Sequence, residues 1–329
     1  MIEKNTTFIL GAGAHIPYGF PSGEGLKEQV VEYLKKNPDC LLWAPHYSDG
    51  LILASEVQRE NCIKFANALG GSAQASIDNF MEANKGVDGF LTIGKAIIAR
   101  ILLDCESKQI RENPDIKNNL INNDLWLEYL VKQRMIEGVH SPDRFIENKI
   151  SFVTFNYDRY LERRIYSYIK NSWVHLEENQ ALHLLNKIPI IHVYGSLGEF
   201  DPNQPYIDPQ NTHPYSSAWM TALRGIKTIH EAQDNDSFVK QARKYIGESV
   251  TVCLLGFGYH KENIELLDLP RIFDNSPKPK IIASRFGVTD VERIRLNGHF
   301  LKNGKGREIF SDSIGQDMRC CETLRNNWL

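Results

Sequence analysis

A chain of 329 residues, 42% hydrophobic and 24% charged, has the make-up of a globular protein able to bury a full core in one large or two ordinary domains. Its net charge of −3 comes from interspersed acids and bases, which excludes the basic footprint of direct nucleic-acid binding, and no apolar run approaches the ~20 residues of a membrane span. Six cysteines without a C-x-x-C pair argue against a zinc ribbon or a disulfide framework, and the apolar run in MIEKNTTFILG is too short for a leader, so a cytoplasmic protein without a metal is expected.

Residues 6–10 (TTFIL) read as a buried strand closed by glycine. From about 24 to 138 the pattern turns helical: 26–36, 50–69, 75–85, 89–106 and 124–138 carry apolar residues at helical spacing with almost no strand signal. Strands return at 149–155 (KISFVTF) and 189–194, with a helix between them from NYDRYLERRIYSYIKN. Residues 199–214, rich in Pro, Asn and Asp, read as loop. A helix over 235–246 leads to the strand in SVTVCLLGFG, a helix over 260–268 precedes the strand in KPKIIASRFG, and VTDVERIRLNG closes the pattern as a helix. Strands alternating with helices predict an α/β fold: a Rossmann-like open parallel sheet built from 1–30 and 146–300. Residues 31–145 form a large helical insertion, and 301–329 a polar tail. The apolar stretch 88–104 is either core or, where a face is left over, an assembly surface.

Glycine-rich chemistry sits where the first strand ends. Gly11 and Gly13 permit a tight turn and a close approach of backbone to a pyrophosphate. The dinucleotide fingerprint G-x-G-x-x-G is broken by Ile16, and Pro17, Gly19 and Pro21 argue against an immediate helix. A standard dehydrogenase is therefore not expected. Taken alone, the G-x-G is also a plain strand-to-helix turn.

Four strand ends carry unusual residues: GAGAHIPYGFPSG (11–23), TFNYDRYLE (154–162), IHVYGSLG (191–198) and LLGFGYHKENI (254–264). Ligands of open α/β sheets bind outside the carboxyl ends of the strands, where all four fall. Their order and content resemble the sirtuin family, and more specifically the sirtuin-like domains of bacterial antiphage defence proteins. The family's Gly-Ala-Gly-x-Ser and Gly-Ile-Pro correspond to Gly11-Ala12-Gly13-Ala14-His15 and Gly19-Phe20-Pro21. Its Thr-Gln-Asn-Ile-Asp corresponds to Thr154-Phe155-Asn156-Tyr157-Asp158, and its late Gly-Thr/Phe-Ser to Gly256-Phe257-Gly258. Ser76-Ile77-Asp78-Asn79-Phe80 is similar to a helix signature of the defence members. The resemblance covers about 1–30 and 146–290 by motif.

The resemblance implies a flexible loop over NAD and hydrolysis of NAD to nicotinamide and ADP-ribose, with NAD as substrate and defence by NAD depletion. Asn156 would hold a ribose hydroxyl and a water, and His192 would be the general base. The family's histidine directly precedes a glycine. Here Tyr194 precedes Gly195, and His192 lies two residues earlier on the same strand face, so Tyr194 is the alternative or helper. Gly11, Ala12 and Gly13 would meet the pyrophosphate through backbone N–H groups, with Ser196 adding a hydroxyl, Phe20 would flank the nicotinamide, Asp158 would brace the loop or the ribose, and Ala14, Pro21 and Gly195 would be further cofactor contacts. Gly256, Phe257 and Gly258 would serve the adenosine end. Each residue has a bland reading beside this one: Asn156 as a helix N-cap, Asp158 in a helix's first turn, His192 in the core, Gly256 and Gly258 in a turn, His15 and His260 on loop surface, Asp78 as a cap or loop anchor. The missing zinc pairs argue against the deacylase form of the alternative, NAD-dependent deacylation or ADP-ribosyl transfer. A non-catalytic module binding NAD or ADP-ribose is the third reading. An NADase must be gated, which implies a homo-oligomer or a separate partner ATPase or nucleic-acid sensor.

Overall fold

Five apolar runs fold into one sheet in a computed structural model that describes residues 1–41, 55–74, 76–111, 124–203, 217–228, 231–232, 236–302, 305–306 and 318–327. The strands are β1 (Thr6–Leu10), β2 (Ile150–Thr154), β3 (Ile190–His192), β4 (Thr251–Leu255) and β5 (Lys280–Ala283). All pair in parallel, in the order β3-β2-β1-β4-β5, which is the open α/β sheet expected. Every residue of β1 and β2 is buried, as in a sheet covered on both faces. The register levels the carboxyl ends: Leu10 lies beside both Thr154 and Leu255, Thr154 beside His192, and Leu254 beside Ala283. Residues following β1, β2, β4 and β5 therefore emerge in one row. The chain order reverses between β1 and β4, which makes that gap the topological switch point.

The connection from β1 to β2 carries the helical insertion: α1 (Gly23–Lys36), α2 (Ser55–Gly71), α3 (Ile77–Ala83), α4 (Phe90–Arg111), α5 (Trp126–Leu130) and α6 (Pro142–Phe145). It shares one continuous apolar core with the sheet. Trp126 of α5 stacks 6.4 Å from Phe8 of β1, and Phe8 lies 5.4 Å from Phe152 of β2. Helix α4 is used up inside that core, with Ile93, Ile97, Ile98, Ile101 and Leu102 all buried. The stretch 88–104 thus leaves no broad apolar face for assembly, and the oligomer expectation finds no support on this helix.

The remaining helices are α7 (Tyr160–Ser172), α8 (Glu178–Leu185), α9 (Ser217–Gly225), α10 (Ser237–Gly247), α11 (Lys261–Leu266), α12 (Leu269–Asp274), α13 (Asp290–Phe300) and α14 (Cys320–Asn327). Helices α8, α9 and α12 escape the sequence pattern because helices of six to nine residues show little periodicity. Most of the loop expected at 199–214 lies outside the described residues. The tail is a correction. Its last turns form α14, whose Cys320 and Cys321 N–H groups are bonded by the Asp124 carboxylate and whose Leu324 is fully buried. Among the described residues no helix is long and apolar enough to cross a membrane.

Candidate nucleotide site at the strand ends

The segment after β1 makes two single 3-10 turns, Ala12–Ala14 and Ile16–Tyr18, before Ser22 caps α1 through the Gly25 N–H. The prolines and glycines thus postpone the helix, and Gly19 ends the second turn at φ +83°, a conformation natural to glycine. The three expected cradle glycines meet one another. A Cβ on Gly11 would come 2.5 Å from the Gly256 carbonyl oxygen, one on Gly13 would come 2.9 Å from the Gly256 Cα, and one on Gly256 would overlap the Ala14 backbone nitrogen. The Gly11 N–H donates to Leu255 O at 3.1 Å, and the Gly13 N–H to Gly256 O at 3.0 Å. These two N–H groups are therefore committed to the neighbouring turn, not turned toward a pyrophosphate as the resemblance implies. The glycines allow two backbones to touch across the switch point. Ala14 is buried, and its carbonyl accepts the Trp126 indole N–H at 2.7 Å.

Beside this contact lies a buried polar core. Asn156 is not a helix cap, since α7 starts at Tyr160. Its backbone N–H donates to Thr154 Oγ1, and its side-chain amide reaches across to the Gly11 carbonyl at 3.2 Å. Asp158 does cap: its Oδ1 accepts the Tyr160 N–H at 3.2 Å, and the same oxygen bonds His15 Nδ1 at 2.9 Å. Burial pushes the Asp158 carboxyl up, but His15, the Tyr160 N–H and His192 outweigh it, and the net direction is down. The ionised carboxylate only accepts, so His15 carries its proton on Nδ1. His15 Nε2 is buried without a hydrogen-bond partner among the described residues. The loop-surface reading of His15 is thus overturned: it is 2% exposed, within 5.6–6.3 Å of the rings of Tyr18, Phe20 and Tyr160. His260 is exposed.

His192 is held at both nitrogens. Nδ1 lies 2.7 Å from the Asn156 carbonyl oxygen and Nε2 lies 2.7 Å from Glu162 Oε1. Both neighbours are acceptors, so both nitrogens donate and the ring fits as the cation. Burial lowers its pKa, but the Glu162 carboxylate and the Asn156 carbonyl outweigh burial and raise it. With no lone pair to offer, His192 in this arrangement clamps the Asn156 backbone instead of serving as the base. The stability contributed by a histidine with a raised folded-state pKa is full below the unfolded value of 6.5 and is lost as pH rises through the folded value. The destabilisation by His192→Gln, read from denaturant midpoints, is accordingly expected to be largest near pH ~6 and to shrink on the alkaline side. A difference independent of pH would show a neutral ring.

The other expected residues spread outward. Tyr194 is buried and donates its hydroxyl to Asn263, and Ser196 Oγ donates to Gly198 O at 3.1 Å. Gly195 takes φ +74° in a bridge to Ile226. Phe20 is buried against Tyr160 and His15, and Pro21 is half-buried. Asp78, in the first turn of α3 behind the Ser76 cap, accepts the Tyr157 hydroxyl at 2.9 Å and so anchors the loop carrying Asn156. Burial pushes its carboxyl up to about 6.

Two cavities border this core. One of about 310 Å³ opens on the β4 and β5 side and takes in Gly13, Gly256, Phe257, Arg285 and Arg319. The other, of about 1000 Å³, lies beyond β3 and takes in Gly195, Ser196, Arg159, Arg224 and Lys227. Neither is lined by Asn156, His15 or His192. Gly258 is exposed and Ala12 half-buried. Sequence reasoning missed Arg285, Arg319 and Glu162; the charges of Glu162 and Arg285 within strand-end segments could have flagged those two, whereas Arg319, just before α14, carried no such signal. No protein-family model, curated protein or solved structure matches the chain.

Proposed function

We propose that the chain is a sirtuin-like NAD glycohydrolase, acting as an antiphage defence effector by depleting NAD. The observation that carries the reading is the placement of the Asn156 amide on the Gly11 carbonyl, across the ends of β2 and β1, beside the His15–Asp158 pair. A dinucleotide laid across the β1 loop would bring its nicotinamide ribose to these groups. Hydrolysis breaks the bond from the ribose anomeric carbon to the nicotinamide nitrogen. Nicotinamide departs with the electron pair, the water oxygen bonds the anomeric carbon, and the water gives up a proton. The cationic leaving group needs no strong acid. Asn156 would orient the ribose and the water. His15, oriented by Asp158, would accept the proton on Nε2 in the base-and-orienter arrangement of hydrolytic enzymes.

Asn156 and His15 are buried, and His15 of the 15–20 segment is packed among the rings of Tyr18, Phe20 and Tyr160. Substrate would enter only after that segment opens, which suits an enzyme held silent until assembly or a partner ATPase or nucleic-acid sensor releases it. The engagement of both His192 nitrogens favours a second reading, an NAD-binding or ADP-ribose-binding module without turnover. Chromatographic product analysis with NAD decides between them. The wild type is expected to release nicotinamide and ADP-ribose, and Asn156→Ala and His15→Gln to lower the rate by at least about 100-fold. Saturable NAD binding with no products, alone and with candidate partners, would leave the binding module. Acyl-ADP-ribose or ADP-ribosylated protein would indicate the transferase.

A further inference from the structure

The cavity of about 310 Å³ lies away from the reacting end. By strand order the row runs from Asn156 after β2, through the Gly11–Gly13 loop after β1 and Gly256 after β4, to Ser284 and Arg285 after β5. With the reacting bond at Asn156 and the pyrophosphate over the β1 loop, the adenosine of a dinucleotide falls in this cavity, whose volume lies at the low end for ligand sites.

The charges lining the cavity do not suit an unmodified adenosine. Among the described residues it is lined by Arg285 and Arg319 and by one acidic residue, Asp124. Both Asp124 oxygens already hold α14, through the Cys320 and Cys321 N–H groups, so the carboxylate is not offered to a ribose diol. In dinucleotide sites generally, an acid at the adenosine ribose binds its diol, whereas an arginine there accommodates a 2′-phosphate. Arg285 Nε is buried without a hydrogen-bond partner among the described residues. Arg319 lies with its guanidinium 4.6 Å from the centroid of the Phe286 ring, and Phe286, 59% exposed, also lines the cavity. Arg285 follows a strand two places from β1, about 10 Å away at ordinary strand spacing. NAD has only uncharged sugar and base at that position.

We propose that this cavity takes an adenosine bearing a 2′-phosphate, read by Arg285 and Arg319, so that the preferred dinucleotide is NADP over NAD. The inference rests on the dinucleotide reading of the site and adds its substrate class. It also gives the C-terminal helix a function, since α14 brings Arg319 to the ligand.

Calorimetric titration of the full chain with NADP and with NAD, and competition by 2′-AMP, 5′-AMP and inorganic phosphate, tests it. NADP is expected to bind at least tenfold tighter than NAD, with 2′-AMP outcompeting both 5′-AMP and inorganic phosphate. Arg285→Ala and Arg319→Ala, checked for folding by thermal melts, are expected to bring the NADP-to-NAD ratio close to one. NAD binding as tightly as NADP, a ratio unmoved in folded variants, or phosphate competing as well as 2′-AMP would overturn the inference and leave the dinucleotide reading standing. Binding of neither dinucleotide, by the chain alone and with candidate partners, would overturn both. Where a variant does not fold, the wild-type ratio and the nucleotide competition decide.

Discussion

Replacing Gly256 by alanine is expected to destabilise the protein by more than about 3 kcal/mol, through two effects that add. The residue sits at φ +56°, where an L side chain is strained. Its new Cβ would also overlap backbone, at the Ala14 nitrogen and the Gly13 carbonyl carbon, and backbone cannot swing aside as a long side chain can. Relief would require the β1 loop to part from the β4 turn, breaking the Gly13 N–H bond to the Gly256 carbonyl. Gly23→Ala is the internal control, because a Cβ there would meet nothing within 4 Å. Urea denaturation compares the two, and equal midpoints would mean that the contact across the switch point contributes nothing.

That contact shows what could and could not be read from the chain alone. The strands were legible because fully buried parallel strands are short, continuous apolar runs, and each of the five was placed within a few residues. The helical insertion was legible through its periodicity, and the broken fingerprint at Ile16 with its following prolines correctly excluded an immediate helix. The meaning of the glycines was not legible. A glycine that admits a phosphate and one that admits another backbone look alike in sequence, and Gly256 stands 243 residues from Gly13. The same separation hid His15, whose partner Asp158 is 143 residues away, and left His192 as the more visible histidine. The tail was read as unpatterned because α14 has only eight residues and is held by one buried acid, Asp124, from a distant part of the chain.

Glu106 is the clearest case of a residue whose role exists only in three dimensions. It lies on α4 of the insertion and is 2% exposed. Its carboxylate accepts the Arg159 backbone N–H at 2.6 Å and the Arg159 guanidinium at 2.7 Å. Burial lowers the Arg159 pKa, but Glu106 outweighs burial and raises it, so the guanidinium stays charged. Arg159 follows Asn156-Tyr157-Asp158 directly, and the pair therefore ties the insertion to the loop that carries the proposed chemistry. Glu106→Ala would leave a cation and a backbone donor buried beside an empty space, and removing one member of a buried pair costs about 3–5 kcal/mol. The loss should exceed that of Glu106→Gln, which keeps an acceptor for the Arg159 N–H while removing the charge. Melting temperatures give the ranking, and NAD turnover measured below both transitions gives the functional half. A Glu106→Gln protein that is folded but slow would mean that the charge holds the loop in register. One that is folded and fully active would confine the pair to stability and leave positioning of Asn156 to the His192 clamp and the Asp78–Tyr157 bond.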